Sequence, residues 1–357
     1  MRIRDTTLGE LSEGPAETHT TEQYLEAGRA LDRLGVSSLG VGHPGTGSIE
    51  VETIRQLSSD LTTDVVVTAN AGDDLERALA TDPDVVAVRA PVSDPWLEHL
   101  FGGSREEAFD AAEETILRVR EHGIETQITL TDAFRAEIPA IAGAFGRFGC
   151  SIVLADSTGA RTPPFVAGFL RTLADASADL TRAGVRFRDD LGCGTANSII
   201  AVETGIDRVD TSVAGLGRRA GATATEELIV ATATAGGDPG VEPAETIPVC
   251  DDVLRALDES VPDRKPVLGT NATTHLPGSE TDAALADSRS FESFDPAEFG
   301  GRRRLLFGEE TGRDGARRLI ERAGGTPDDD AVEALLERLA DAGPIDLDGA
   351  LDIAAEV

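Results

Sequence analysis

From the first residue to about position 235, short β-branched runs alternate with stretches of helical period, and the alternation recurs eight times. The runs fall at 2–7 (RIRDTT), 36–42 (VSSLGVG), 64–69 (DVVVTA), 84–89 (DVVAVR), 124–130 (IETQITL), 151–155 (SIVLA), 184–188 (GVRFR) and 207–213 (DRVDTSV). Helical stretches such as 21–35 and 105–123 follow most of them, the second ending on a glycine stop signal. Repeated βα units specify a parallel sheet, and eight in roughly 240 residues is the count and length of an α/β fold of (β/α)8 (TIM) barrel type. An open doubly wound sheet is the alternative, but no GxGxxG turn follows the first strand to support it. After the glycine- and proline-rich stretch 236–245 (GGDPGVEPAE) the pattern changes to helices and loops. The expected division is a barrel over 1–245 and a small C-terminal helical subdomain over 246–357. The latter holds an acidic helical pair near 313–342 and a last helix from Asp346.

The charge bears on partners. Acidic residues number 65 against 32 basic ones, for a net charge of -33, and the only lysine is Lys265. The acids are spread along the chain, as in the solvated acidic shell of a halophilic protein, where salt screens the self-repulsion. No basic patch interleaved with aromatics appears, which argues against nucleic acid as a partner; GRRRLLFG at 301–308 reads as a solvated face. No apolar run of about 18 residues exists and no apolar segment follows MRIRDTTLGE, so a cytoplasmic protein without membrane contact is expected. Cys150, Cys193 and Cys250 lie far apart without a CxxC and are expected as reduced, buried residues.

A barrel of this kind builds its chemistry at the C-terminal ends of its strands. Those ends carry Asp5, the segment Gly40–Pro44, Asn70, Ser93, Asp132 with Arg135, and Asp156 with Ser157. The seventh strand supplies Arg186, Arg188, Asp189 and Asp190, and the eighth leads into GLGRRAGAT at 215–223. The mouth thus mixes carboxylates with arginines, which either bridge its loops or form a site. His19, His99 and His122 read as surface residues, and Trp96 and Phe101 as cover for the rim.

These motifs resemble the metal-dependent family of 2-isopropylmalate, homocitrate and citramalate synthases. RDTTL at 4–8 is similar to the family's opening RDxTLR(D/E)G, GVGHP stands at its second-strand position, and DSTG from Asp156 with a following proline is similar to DTxGxxxP. The segment 188–221 follows HNDxGxAxANxxxAxxxGxxxxxxTxxGxGxRxG almost throughout. KPVLGTNATTHLPGS and FGEETGRDGARRLI resemble the linker subdomain that follows the barrel. The resemblance implies a TIM barrel that joins an acyl-CoA to a 2-oxo acid on a divalent ion, in a dimer. It places the ion's ligands at Asp5, Arg186, Arg188 and Ala222, of which Asp5 alone can ligate: a guanidinium stays protonated and has no lone pair. The family's arginine after RDTTL is Gly9, its next glycine is Leu11, its second-strand glutamate is Gly40, and its linker His-Glu pair reads His275-Leu276, with Glu280 where another histidine is usual. Retained are Arg4, Asp5, Asp132, Arg135, Asp156, Asp190, Asn197 and Arg219, with Ser157 for threonine.

The resemblance therefore implies Arg4, Asp5 and His275 as candidate catalytic residues. It implies Arg135, Asp156, Ser157, Arg186, Arg188, Asp190, Asn197 and Arg219 as candidates to bind a small 2-oxo acid or related carboxylate, with acyl-CoA as a further ligand. No cofactor and no divalent ion are expected. Three functions remain open at this point. A non-catalytic or metabolite-binding homologue would pair with itself or a related synthase, Arg186 and Arg188 neutralising Asp5, Asp189 and Asp190. A divergent acyltransferase would use the two arginines, bonded to Asp5, in place of the ion. The family reaction could also survive on an unusual metal site of Asp5, Asp189, Asp190 and His43.

Overall fold

A computed structural model describes residues 1–13, 19–44, 49–72 and 75–357. Eight parallel strands close into a barrel in chain order: β1 (Arg2–Asp5), β2 (Ser38–Gly42), β3 (Asp64–Asn70), β4 (Val85–Pro91), β5 (Glu125–Thr131), β6 (Ser151–Asp156), β7 (Ala183–Phe187) and β8 (Arg208–Thr211). β8 pairs with β1, which closes the ring. Both faces of these strands are covered, so they read as near-continuous apolar runs. The helices outside start where the sequence signals them. Thr20 and Gln23 form a reciprocal cap on Thr21–Leu34, which stops at Gly35 in the left-handed conformation, and Ser104 and Glu107 do the same for Arg105–Glu121.

The barrel unit extends to Ser260, past 245, because helix Thr246–Ala256 packs on helix Thr21–Leu34. The second unit, Val261–Val357, has its own core of Leu285, Phe307, Leu319, Ile320, Leu335 and Leu339. Its helices Arg313–Arg322, Asp329–Ala342 and Leu347–Ala354 match the expected helical pair and final helix, the last capped by Asp346. No helix among the described residues is long and apolar enough to cross a membrane.

Three sequence expectations need correction. His19 is not a surface residue: its ring lies edge-on to Tyr24 and its Nε2 is 3.0 Å from the Leu257 carbonyl, because the segment before helix Thr21–Leu34 folds back onto the barrel wall. Cys193 is half-buried, since it sits in the loop just before helix Gly194–Glu203, whereas Cys150 and Cys250 are buried. GRRRLLFG is only partly a solvated face, because Arg303 turns in to hold Glu292 and Asp295.

The loop after β1 becomes a short helix, Thr7–Ser12, seated directly on β2. Its approach depends on glycines: a Cβ on Gly9 would stand 2.8 Å from the Gly42 amide nitrogen and 3.0 Å from the Gly40 carbonyl oxygen. Those are backbone atoms of a barrel strand and cannot yield cheaply. Gly9→Ala is expected to destabilise the barrel by about 1–3 kcal/mol, the usual cost of overpacking, measured as a lowered urea midpoint with an unchanged m-value.

Candidate active site

Side chains alternate across a strand, so GVRFR turns Val185 and Phe187 to the buried outer face and Gly184, Arg186 and Arg188 to the barrel axis. Across the sheet, Arg186 is in register with Asp210 of β8, and Asp210 with Arg4 of β1. Arg4 Nε donates to Asp210 Oδ1 at 2.9 Å, Nη2 pairs with Oδ2, and Nη1 donates to Gln127 Oε1 at 3.2 Å. Arg4 is thereby a buried interior ion pair, not a group that reaches the mouth.

The partner of Arg186 and Arg188 is Glu10, on helix Thr7–Ser12. Arg186 Nη2 donates to Glu10 Oε1 at 2.5 Å; Arg188 Nη1 donates to Oε1 at 2.7 Å and Oε2 at 2.6 Å. Arg188 Nη2 donates onward to the Arg218 carbonyl at 2.8 Å. Glu10 is 2% exposed. Burial alone would raise its pKa, but the two guanidinium charges outweigh that and hold it at about 2. Arg186 is pushed above its usual range, its burial outweighed by Glu10, Asp210 and Glu13.

This corrects the expected pairing with Asp5, Asp189 and Asp190. Asp5 Oδ1 accepts the Thr7 amide at 2.8 Å and Oδ2 the Thr225 hydroxyl at 2.8 Å. Burial drives its pKa up to about 6 against those hydrogen bonds. Asp189 Oδ1 accepts the Gly194 amide at 2.6 Å, and Asp190 takes both arms of Arg219 at 2.6 and 2.9 Å. Glu10 occupies the acidic position of the opening motif RDxTLR(D/E)G, so its signal was present. The departures at Gly9 and Leu11 on either side hid it.

A second carboxylate is shared in the same way. Glu13 Oε1 accepts from Arg89 Nη2 at 2.7 Å, and its Oε2 lies 3.7 Å from Arg218. Burial opposes, and Arg89 foremost secures, a lowered Glu13 pKa. Between these groups opens a cavity of about 310 Å³ lined by Arg186, Arg188, Arg218 and Arg219 with Arg89, Asp156, Ser157 and Trp96. A chamber of about 490 Å³, walled by Trp96, Leu100 and Phe101, shares Arg89 and Arg218 with it. In a chain of charge -33, the mouth is a concentration of guanidinium groups.

Of the sequence candidates, Arg186, Arg188, Asp156, Ser157 and Arg219 line this cavity, and Asp190 backs it through Arg219. Arg135 does not line it: its Nε donates to both Asp132 oxygens at 2.8 Å, and Asp132 also takes the Ser93 hydroxyl. Asn197 does not line it either, since its Nδ2 donates to the Arg161 carbonyl at 2.8 Å while Asp156 accepts the Arg161 amide at 3.1 Å. These two hold the loop after β6. Ala222 is buried in a bridge to Arg188, and His43 is buried. Arg89 and Arg218 were missed because neither stands in a quoted motif.

In the second unit His275 is buried on a two-stranded sheet, Thr274–His275 with Arg304–Leu305. The acid missing at Leu276 is met from elsewhere: Glu292 Oε1 lies 3.4 Å from His275 Nε2, and Arg303 donates to Glu292 at 2.7 and 2.8 Å. Glu280 is exposed on helix Ser279–Ala286. Among the described residues no group of three or more His, Cys, Asp or Glu is placed to hold an ion.

The family model described as HMGL-like matches residues 1–253. A homocitrate synthase from Methanopyrus kandleri is 31% identical over 347 residues, covering 94% of this chain and 86% of that protein. A probable 2-isopropylmalate synthase from the same organism is 28% identical, covering 96% and 70%. Among solved structures, an HMG-CoA lyase from Acinetobacter baumannii, in complex with coenzyme A and 3-methylmalate, superposes with a TM-score of 0.63 at 15% identity. It covers 73% of this chain and 92% of that one, a likeness of fold.

Two measurements follow from the buried carboxylates. Glu10→Gln leaves Arg186 and Arg188 without a counter-charge and is expected to cost about 3–5 kcal/mol in urea unfolding. A group with a depressed pKa stabilises above its unfolded value, so this contribution is present at neutral pH and is lost only as pH falls toward 2. Asp5 has the opposite sign. Its folded pKa of about 6 lies above 3.8, so its contribution is present below pH 4 and lost as pH rises through 6. The stability of wild type relative to Asp5→Asn is expected to fall by about 3 kcal/mol between pH 4 and 7.

Proposed function

The chain belongs to the HMGL-like family, and from that premise we propose that it is a synthase-like member that binds a small carboxylate at the barrel mouth through guanidinium groups, without the family's divalent ion. The observation that carries this is the Glu10 carboxylate locked between Arg186 and Arg188 on the strand whose positions correspond to the family's histidine ligands. The residues present do not fit a divalent ion. Both Asp5 oxygens are engaged by Thr7 and Thr225, two positions are cationic, and the fourth is Ala222.

The geometry suits an anion. Arg186 spends one donor on Glu10 and lines the cavity with the rest of its guanidinium, which can make charge-assisted hydrogen bonds to a carboxylate. Ser157 Oγ accepts the Asp132 amide at 2.9 Å, so its own proton is available to a ligand oxygen. Trp96 closes one side and limits water. A base for condensation is not favoured: Glu10, Glu13 and Asp190 are all held below the usual carboxylate range, Asp190 by its hydrogen bonds from Arg219, and Asp156 accepts the amides of its own loop. The competing reading is an acyl-CoA and 2-oxo acid condensation in which Arg186 stabilises the developing oxyanion. Its support is the same set of open Arg186 donors. Pairing with a second copy or with a related synthase completes the proposal.

The test is titration calorimetry in molar KCl with pyruvate, 2-oxoglutarate, malate and acetyl-CoA, with and without EDTA or Mg²⁺, alongside an assay for released CoA. The expected outcome is binding of at least one carboxylate that ignores EDTA and Mg²⁺, weakens at least tenfold in Arg186→Gln, and releases no CoA. Binding that requires Mg²⁺, or a stoichiometric divalent ion in the purified protein, would overturn the proposal. Release of CoA at a steady rate establishes the condensation instead. Mass measurement in solution, alone and with a catalytically complete relative, is expected to show a dimer in at least one case, and a strict monomer in both removes the pairing.

A further inference from the structure

The opposite end of the barrel holds a charge that the mouth does not explain. Arg208 of β8 stands in register with Arg2 of β1 on one side and Gly184 of β7 on the other, one inward layer below Arg4, Asp210 and Arg186. Its Nε and Nη2 are buried and have no hydrogen-bond acceptor. The neighbouring aspartates are already committed: Asp207 takes Arg2 at 2.6 Å, and Asp210 takes Arg4. Three arginines therefore face two aspartates, and the cation left over is the buried one. A chain with 65 acidic residues has brought none of them to it. Leaving buried donors unsatisfied costs more than a hydrogen bond gains, so such an arrangement calls for an acceptor from outside the chain.

Two further observations say where it sits. Gly184 has no side chain, and the point where its Cβ would lie is 2.9 Å from Arg208 Nε and 3.2 Å from Nη2. The room left by the glycine thus faces both orphaned donors at once. Gln127 Nε2 is also buried without an acceptor. Its amide cannot be turned to cure this, because Arg4 Nη1 is a donor and requires Oε1 toward it. Burial, and after it the adjacent Arg4, lowers the Arg208 pKa to about 10, which leaves it charged at neutral pH.

We propose that the floor of the barrel is a binding site for one small monovalent anion of chloride size, held by Arg208 Nε and Nη2 in the space above Gly184. Size follows from the room, which is that of a methyl group and not of a carboxylate or phosphate. The site is separate from the mouth, so it neither depends on the carboxylate reading nor competes with it. Its consequence is thermodynamic: an anion bound by the folded chain alone stabilises it by mass action, so the stability of the protein contains a saturable halide term in addition to general screening.

The experiment is thermal unfolding of the full chain at constant ionic strength, with chloride or bromide titrated against a bulky organic anion such as glutamate. Wild type is expected to show a rise in melting temperature that saturates. Arg208→Gln removes the cation and Gly184→Ala fills the space while keeping it, and both are expected to lose the saturable part. The second variant keeps the test decisive if the first does not fold. A crystal soaked in bromide is expected to show an anomalous peak beside Arg208 Nε. An equal rise in all three proteins, no rise, or a water in the crystal overturns the proposal. So does a bromide peak without the saturable shift, which is an adventitious ion only.

Discussion

The mouth of this barrel rests on one shared carboxylate. Two cations on alternate positions of one strand point the same way by geometry alone, and neither can be buried without a counter-charge. Glu10 provides it for both, which requires helix Thr7–Ser12 to lie close against β2, and that closeness requires Gly9, Gly40 and Gly42. The same arginines border the cavity, so the packing of the first loop and the charge of the site are set by one contact. Asp5, freed from any role toward Arg186, becomes an internal fastening for Thr7 and Thr225.

Relative to the enzymes it resembles, the chain has kept a frame and exchanged its electrostatics. Asp156, Asn197, Asp190 and Arg219 still stitch the loops after β6, β7 and β8 together. What differs is the sign of charge at the centre. The acidic exterior is a separate matter: Arg147 alone gathers Glu106, Asp110 and Glu113 on the outer helices, pairs that are individually weak and strongly screened by salt.

The strands were legible because each is a short β-branched run bounded by polar residues, and all eight lie where the alternation places them. Helix starts at Thr20 and Ser104 were legible because a capping box is a local pattern. Site residues were legible only where a motif named them. Arg186 and Arg188 stood out as cations in place of ligands, but their partner lies 176 and 178 positions away, and nothing local in LGELSE distinguishes Glu10 from a solvated helix acid. Arg4, Arg135 and Asn197 carried motif identity into positions that serve packing, because a motif records which residue type is needed and not which of its neighbours it touches.

Sequence by itself determined the architecture, the family and the replacement of the metal-binding positions, since periodicity and motif order are properties of the chain read in line. Tertiary structure alone decided the pairing of charges. It assigned Glu10 to two arginines, Glu13 to Arg89 and Arg218, and Glu292 to His275, and it left Arg208 without a carboxylate. The reason is physical: an ion pair depends on distance through space and on exclusion of water, and both are fixed only when the barrel closes and brings β8 beside β1.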